Sequence, residues 1–168
     1  MQQTPTKTAE RVERYEPTAV EARWQAQWEA DKLYHAEADP TKQKFYYVTM
    51  LPYPSGDLHI GHWYAMTPSD AQARFRRMQG YNVMFPIGFD AYGLPAENAA
   101  IKNGTKPDVW TYKCIEEMRV ELKKMGFSYD WQREVATCES SYYRWNQWIF
   151  LKMLAKGLAY KKASPVNW

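Results

Sequence analysis

The sequence predicts an α/β fold with parallel strands, preceded by an N-terminal helix. A β-rich run at 44–50 and a short apolar run at 82–86 flank a segment with a helix pattern at 67–79. A strand, a crossover helix and a second strand in this order form a βαβ unit, in which the strands are parallel. Each predicted strand is followed by a loop that contains glycine, at the edge where open parallel sheets bind ligands.

The composition of the 168-residue chain is typical of a globular protein, with 45% hydrophobic and 24% charged residues. The net charge of +3 is unevenly spread: residues 1–40 carry 5 Lys or Arg against 8 Asp or Glu, whereas residues 41–168 carry 17 against 11. This mildly basic body permits an anionic partner, such as a nucleotide or RNA, without requiring one.

The cysteines and the N-terminus indicate a cytoplasmic protein. Cys114 and Cys138 are far apart, and no CxxC spacing supports a disulfide framework or a zinc finger. The first residues contain no apolar signal-peptide core, and no run approaches the ~18 apolar residues of a membrane span. We therefore expect neither export nor a membrane partner.

The N-terminal segment is predicted to be a loose tail at 1–17 followed by a helix. Thr18 and Glu21 have the spacing of a capping box. Apolar residues at four-residue steps then predict an amphipathic helix over about 18–33 that docks through its indoles: Val20, Trp24 and Trp28. We treat residues 1–40 as this tail and docking helix, and residues 41–168 as the body.

Prolines shape the chain on both sides of the first crossover. Pro52 and Pro54 hold the residues before them extended and cannot donate to a continued ladder, so the first strand ends before them. Thr67 resembles a helix N-cap with Pro68 at the first helical position. Because proline inside a helix removes a hydrogen bond, we expect a short turn at 59–66 and a separate helix at 67–79.

The remaining chain is predicted to be mostly helical. Apolar periodicity favours helices over 95–102, about 107–125 and 139–156. A brief strand is expected at 133–137, and residues 158–168 have the pattern of a further strand.

The stretch LPYPSGDLHIGHW contains two of the three histidines, His59 and His62, and permits three kinds of site. A zinc site needs three or four ligands, and the remaining histidine, His35, lies in the other segment. General acid–base chemistry is possible because imidazole titrates near neutrality, with Asp57 or Asp90 as the orienting carboxylate. An isolated HxxH spacing is also compatible with surface or core histidines that have no chemical role.

Phosphate binding explains the neighbouring residues as well. Gly61 lacks a Cβ, so a phosphate or a flat ligand can approach the backbone there. A helix that starts at this point directs N–H groups and its positive dipole end to the same place. Two imidazoles beside it can donate hydrogen bonds to phosphate oxygens, which favours this interpretation.

Longer blocks around these histidines resemble one enzyme family. DLHIGH carries the HxGH signature of class I aminoacyl-tRNA synthetases. Together with neighbouring blocks, it is similar to the N-terminal part of leucyl-tRNA synthetases of the bacterial type: MLPYPSGDLHIGH, RMQGYNVMFPIGFDAYGLPAENAAIK and SYDWQREVATCESSYYRWNQWIFLKMLAKGLAYKKASPVNW. The resemblance implies that the body is the first half of a Rossmann-like, HUP-type nucleotide-binding domain.

The resemblance implies a two-step reaction, in which ATP activates leucine and the leucyl group then passes to tRNA-Leu. By motif position, His59, Gly61 and His62 would bind ATP, and the two histidines would be catalytic. They would stabilise the charge that develops at the α-phosphate. Mg²⁺ is expected to accompany ATP, and no metal site is expected in this stretch of chain.

The same resemblance implies a leucine pocket at the end of the first strand. Asp90 in GFDAYG would hold the leucine ammonium as a charge-assisted pair. Three residues would wall the pocket: Met50, Leu51 and Tyr53. Glu97, in the PAEN block, would support the site from nearby.

The sequence departs from the family pattern after the histidines and lacks several family segments. Tyr64 and Ala65 stand where relatives commonly have Arg and Asn.

No KMSKS-type lysine loop, editing domain or anticodon-binding bundle is visible, so we expect a chain truncated before the zinc and editing insertions. Such a fragment would be weakly active or inactive alone. The alternative is a non-catalytic fragment that binds nucleotide or tRNA, whereas adenylyl transfer to another substrate is disfavoured by the long match.

Overall fold

The computed structural model describes residues 14–165. The helices and strands of this part follow one another in the order α1 Pro17–Ala30, β1 Lys44–Tyr46, α2 Ile60–Met78, β2 Asn82–Met84, β3 Pro86–Phe89, α3 Leu94–Lys102, α4 Pro107–Lys124, β4 Asp130–Ala136 and α5 Ser140–Ala155. The described residues belong to two compact units that divide between Leu33 and Tyr34. The proposed tail at 1–17 lies largely outside the described residues.

Helix α1 begins one residue earlier than the sequence predicts. Pro17 is its first residue, and Glu16 precedes it with extended backbone and no side-chain cap. The predicted capping box from Thr18 to Glu21 is therefore wrong, because proline's fixed φ already starts the helix and places Thr18 inside it. The helix ends near Asp31, whose carboxylate accepts from Gln27 Nε2 at 2.9 Å. No α1 residue is buried within its own unit, and the expected docking stays a prediction.

Parallel strands form the centre of the second unit, as predicted. Strand β1 pairs with β2, and β3 pairs with β4. Tyr47 N–H donates to Met84 O at 3.0 Å, and Asp130 N–H donates to Phe85 O at 2.8 Å. Successive carbonyls of an extended chain point to opposite sides, so Met84 O and Phe85 O face different neighbours. Strands β1 and β4 therefore lie on either side of the segment that contains β2 and β3.

The predicted strands have somewhat different bounds in the structure. The run at 44–50 contributes only Lys44–Tyr46 to a strand, while the segment at 82–86 divides into β2 and β3 around Phe85. The backbone after β1 returns to the central run further on, where Asp90 N–H donates to Pro52 O at 3.0 Å. This bond brings the loop after β1 beside the loop after β3.

Helix α2 is continuous through Pro68, so the predicted turn at 59–66 and helix start at Thr67 are wrong. His59 is the N-cap, and Thr67 Oγ1 instead donates to Trp63 O at 2.8 Å inside the helix. Met66, in the segment predicted as a turn, is fully buried. Burial of Met66, Asp70 and Ala73 on either side of Pro68 can offset the loss of one hydrogen bond at proline, a cost of ~3 kcal/mol, because packing supplies most helix stability in proteins.

The other helices agree with the sequence prediction within two residues at each end. Strand β4 begins at Asp130, three residues before the predicted strand. In the described part of the predicted strand at 158–168, which ends at residue 165, there is no strand. Each residue of α5 keeps part of its surface exposed, so this helix adds none of the fully buried side chains.

The core lies between the central strands and the helices α2 and α4. Its buried side chains include Met66, Ala73, Phe85, Ile87, Phe89, Ile115, Met118 and Leu122. Gly88 lets β3 approach β4, because a Cβ at this position would lie 2.5 Å from Val135 O. Close packing of β3 on β4 therefore aligns the carboxyl ends of these two strands, where the predicted site residues lie.

His35 anchors the entry to the second unit onto the start of β4. Its Nδ1 lies 3.0 Å from Asp130 Oδ1, and its Nε2 lies 2.6 Å from Glu37 Oε1. Ala36 N–H also donates to Asp130 Oδ2 at 3.1 Å, and Arg133 Nη2 donates to Ala36 O at 2.7 Å. The two carboxylates raise the pKa of His35, through hydrogen bonds first of all.

Among the described residues, no helix combines the length and the apolar character that crossing a membrane would require.

Candidate functional site

A cavity of about 910 Å³ opens at the carboxyl edge of the parallel strands. This volume falls within the range of ~300–1,000 Å³ that is usual for small-molecule sites. All seven residues predicted for ATP or leucine binding line it: Met50, Leu51, Tyr53, His59, Gly61, His62 and Asp90. The fold therefore brings the residues predicted for ATP binding and those predicted for leucine binding into one cavity. Their binding roles stay predictions.

His59 and His62 cap helix α2 in a reciprocal arrangement. Gly61 N–H donates to His59 Nδ1 at 3.1 Å, and His59 N–H donates to His62 Nδ1 at 3.1 Å. The two imidazole centroids lie 4.1 Å apart. The first turn of α2 therefore orients both rings with its own backbone.

This capping determines which ring nitrogens can donate. Because Nδ1 accepts a hydrogen bond in each ring, the proton of a neutral imidazole must be on Nε2. Burial, and then the nearby His59, lower the pKa of His62, so His62 is neutral at pH 7. The pair can thus present two N–H donors to a ligand without carrying two positive charges.

Gly61 has a steric role that the sequence did not indicate. A Cβ at this position would lie 2.9 Å from Cε1 and Nδ1 of the His59 ring. Such contacts are too short, so any larger residue would displace the imidazole from its capping position. Glycine here gives space to His59 itself as well as to an approaching ligand.

Backbone groups, rather than the carboxylates proposed from sequence, orient the histidines. Among the described residues, no carboxylate hydrogen-bonds to either imidazole, although Asp57 and Asp90 line the same cavity. The loop before α2 is instead tied to α4, because Leu58 N–H donates to Glu121 Oε2 at 3.2 Å. Glu121 is therefore the acidic residue that holds this loop.

Asp90 adds a carboxylate to the lining of the cavity. Its Oδ1 accepts from Thr137 Oγ1 at 3.4 Å, and it raises the pKa of the Tyr53 phenol, chiefly through a hydrogen bond. Within residues 14–165, Asp90 forms no ion pair. The cavity consequently contains an acidic group whose nearest partners are neutral hydroxyls, an arrangement suited to a cationic ligand group.

Two buried prolines hold the loop that carries the apolar lining residues. Pro52 and Pro54 have almost no exposed surface, whereas Met50 and Tyr53 are more than half exposed. The two prolines therefore anchor this loop, while Met50 and Tyr53 remain accessible in the cavity lining. Leu51, which is half-buried, adds a further apolar side chain to the lining.

Sequence reasoning missed several lining residues, of which Thr137 and Tyr142 come from other elements. Thr137 directly follows β4, so the rule that ligands bind at the carboxyl ends of parallel strands could have indicated it. Tyr64 and Ala65, which differ from the family pattern, are exposed and do not line the cavity. Glu97 is likewise exposed and does not line it.

Across the described residues, no group of three or more His, Cys, Asp or Glu side chains has the arrangement that could hold a metal ion.

Comparison with known proteins identifies the family. The family described as tRNA synthetases class I (I, L, M and V) matches residues 23–168. The chain belongs to the class I tRNA synthetases. This match confirms the family resemblance that the sequence predicts. The predicted Rossmann-like α/β fold is confirmed as well.

Curated relatives of this class I synthetase chain are leucine–tRNA ligases. That of Rubrobacter xylanophilus is 62% identical over 154 residues, which are 92% of this chain and 19% of the relative. That of Deinococcus radiodurans is 57% identical over 158 residues, or 94% of this chain and 19% of the relative. The chain thus spans about a fifth of the length of the curated relatives it matches.

Solved structures show the same fold around bound ligands. The Agrobacterium radiobacter K84 LeuRS, in a ternary complex with tRNA and LeuAMS, is 39% identical with a TM-score of 0.83; the match covers 86% of this chain and 19% of that one. Methionyl-tRNA synthetase of Mycobacterium tuberculosis, in complex with methionyl-adenylate, is 27% identical with a TM-score of 0.65, covering 68% and 22%. The Mycobacterium tuberculosis protein thus contains a bound methionyl-adenylate in this fold.

Proposed function

We propose that this chain supplies the ATP- and leucine-binding part of a leucine–tRNA ligase. In the first step a leucine carboxylate oxygen attacks the α-phosphorus of ATP, which forms leucyl-adenylate and releases pyrophosphate. In the second step a ribose hydroxyl at the end of tRNA-Leu attacks the leucyl carbonyl, and AMP leaves. The identity to leucine–tRNA ligases supports leucine as the amino acid.

One observation carries the proposal: the two capping imidazoles of His59 and His62 and the Asp90 carboxylate line the same cavity. His59 and His62 would donate from Nε2 to phosphate oxygens of ATP, beside the positive end of α2. These bonds accelerate the reaction to the extent that they strengthen as negative charge develops around the α-phosphorus. Gly61 would let the phosphate reach the backbone of the first turn.

A second group of lining residues would bind the amino acid. Asp90 would pair with the leucine ammonium, and the carboxylate of leucine would then point toward the histidine side. Met50, Leu51 and Tyr53 would contact the aliphatic side chain. This division places the attacking oxygen between the two groups of binding residues, which lowers the entropic cost of the reaction.

The proposal includes partners beyond this chain. We expect Mg²⁺ to accompany the triphosphate of ATP, and tRNA-Leu to enter for the second step in the cytoplasm. The remaining parts of the ligase would complete the site, because the chain covers 19% of its relatives.

ATP–pyrophosphate exchange tests the proposal in the full-length natural polypeptide that contains this sequence. We expect exchange that depends on leucine, and a loss of about 10²-fold in kcat/KM for ATP in His62→Ala, the scale for removing one charge-stabilising donor. The matched control is His35→Asn, which removes the histidine that does not line the cavity. It should retain exchange within about twofold.

Two outcomes would contradict the proposal. Undiminished exchange in His62→Ala would remove the histidines from the mechanism, and exchange that depends on another amino acid would exclude leucine. Calorimetric titration of the 168-residue chain with a leucyl-adenylate analogue distinguishes the proposed function from the alternative. If this chain binds the analogue while the full-length polypeptide shows no exchange, the protein would be a non-catalytic binding protein.

A further inference from the structure

We propose that Thr137 is a positioning residue that orients the Asp90 carboxylate toward the amino-acid ammonium. This inference rests on the proposed function, because it assigns the partner through which Asp90 acts. Thr137 follows β4, whereas Asp90 follows β3, so the contact joins the ends of two adjacent parallel strands.

The backbone holds Thr137 in place from two directions. Its N–H donates to Phe89 O at 3.0 Å, and its Oγ1 accepts from Ala91 N–H at 2.8 Å. The residue is buried, with 9% of its surface exposed. Thr137 therefore contacts the residues on both sides of Asp90, and its hydroxyl position is determined by the β3 loop rather than by solvent.

The chemistry of a hydroxyl sets the direction of its remaining bond. A threonine hydroxyl has one O–H donor and two acceptor lone pairs. Because Ala91 N–H occupies an acceptor site, the O–H is free to donate, and Asp90 Oδ1 lies 3.4 Å away. This separation is long for an O–H···O bond, and catalytic-site bonds of this kind often tighten when the ligand binds.

The second hydroxyl beside Asp90 is less constrained. Tyr53 also interacts with the carboxylate, but it is 52% exposed and comes from the proline-held loop. Thr137 thus provides the rigid contact and Tyr53 the exposed one. With Oδ1 directed at Thr137, the carboxylate presents Oδ2 as the oxygen for an incoming ammonium.

The test compares Thr137→Val with Thr137→Ser in the full-length natural polypeptide, by leucine-dependent ATP–pyrophosphate exchange. Valine keeps the shape and removes the hydroxyl, whereas serine keeps the hydroxyl. We expect Thr137→Val to raise the KM for leucine about tenfold, the effect of losing a hydrogen bond to a charged group. The KM for ATP should stay within about twofold, and Thr137→Ser should restore the KM for leucine.

A double-mutant cycle shows whether Thr137 acts through Asp90. In an Asp90→Asn background, Thr137→Val should change the KM for leucine by less than about twofold, because the oriented charge is already gone. Thr111→Val is the matched control: it removes a buried hydroxyl from α4, outside the cavity lining. It should leave the KM values of both substrates unchanged.

The outcomes separate this inference from the proposed function. An unchanged KM for leucine in Thr137→Val, beside a large rise in Asp90→Asn, would overturn the inference and leave the function standing. Equal effects of Thr137→Val on the KM values for leucine and ATP would show a structural role and also overturn it. No effect of Asp90→Asn itself would contradict the proposed function.

Discussion

His59 and His62 lie with their ring centroids 4.1 Å apart and their planes inclined at 48°, and each accepts a backbone N–H through Nδ1. Each ring is held by the backbone next to the other histidine. The N–H of His59 donates to the His62 ring, and the N–H of Gly61, in the same turn as His62, donates to the His59 ring. The pair is consequently one structural unit at the start of α2. Several predictions about pH and substitution depend on it.

The first prediction concerns the pH dependence of His62. Burial and His59 lower the pKa of His62 from 6.5. The neutral form is therefore kept as pH falls through 6.5, and leucine-dependent exchange should hold there and decline only at lower pH. Because the unfolded chain binds this proton more readily, the contribution of His62 makes the free energy of unfolding fall as pH drops below 6.5.

NMR titration of the imidazole Cε1–H signals measures this pKa. His59→Asn removes the neighbouring imidazole that helps to lower the pKa of His62, so this pKa should rise in that variant. A His62 pKa that stays at 6.5 or above in the unmodified protein would refute the proposed environment.

The second prediction concerns His35, whose pKa is raised rather than lowered, so its effect on stability changes with pH in the opposite direction. Its two ring nitrogens both lie within hydrogen-bond distance of carboxylates, and the pKa is raised from 6.5. Two donated bonds require the protonated ring, so its stabilisation is fully present below pH 6.5 and is lost as pH rises through the folded pKa. Arg133 also pairs with Asp130, at 3.2 Å.

Thermal unfolding between pH 5.5 and 8.5 checks the second prediction. The difference in Tm between the unmodified protein and His35→Gln should shrink as pH rises. A constant difference over this range would show that protonation of His35 contributes nothing to stability.

The third prediction concerns Gly88, where β3 meets β4. Gly88→Ala would place a methyl group 2.5 Å from Val135 O in a buried site. We expect the free energy of unfolding to fall by about 1–3 kcal/mol, as for other overpacked sites. Gly56→Ala is the matched control, because a Cβ there meets nothing within 4 Å. Denaturant unfolding gives both values, and equal stability of the two variants would contradict the close approach of the strands.

The fourth prediction separates activity from stability at Gly61. Gly61→Ala adds a better helix former, which favours α2 by up to about 1 kcal/mol. The new Cβ would nevertheless displace the His59 ring, since it would lie 2.9 Å from two ring atoms. We expect kcat/KM for ATP in exchange to fall about tenfold while thermal stability is kept. Full activity together with full stability would show that the ring position is unimportant.

Local patterns predicted most elements of the fold, and the family resemblance predicted seven site residues that all line one cavity. Periodicity located the long helices, because an amphipathic pattern depends only on neighbouring residues. The same reasoning failed at Pro68, where a local rule predicted a helix start. The burial of Met66 depends on contacts with distant strands, and such contacts are invisible to a local rule.

The sequence by itself determined the family, because long blocks around the HxGH and GFDAYG motifs are similar to one enzyme family, and it predicted the residue types of the site. Only the tertiary structure decided how those residues are oriented. Backbone capping sets the Nε2 donors of His59 and His62, and β4 brings Thr137 to Asp90 across 47 positions of sequence. The physical reason is that a hydrogen-bond direction depends on both partners, and the strand register that joins distant partners is a property of the folded sheet.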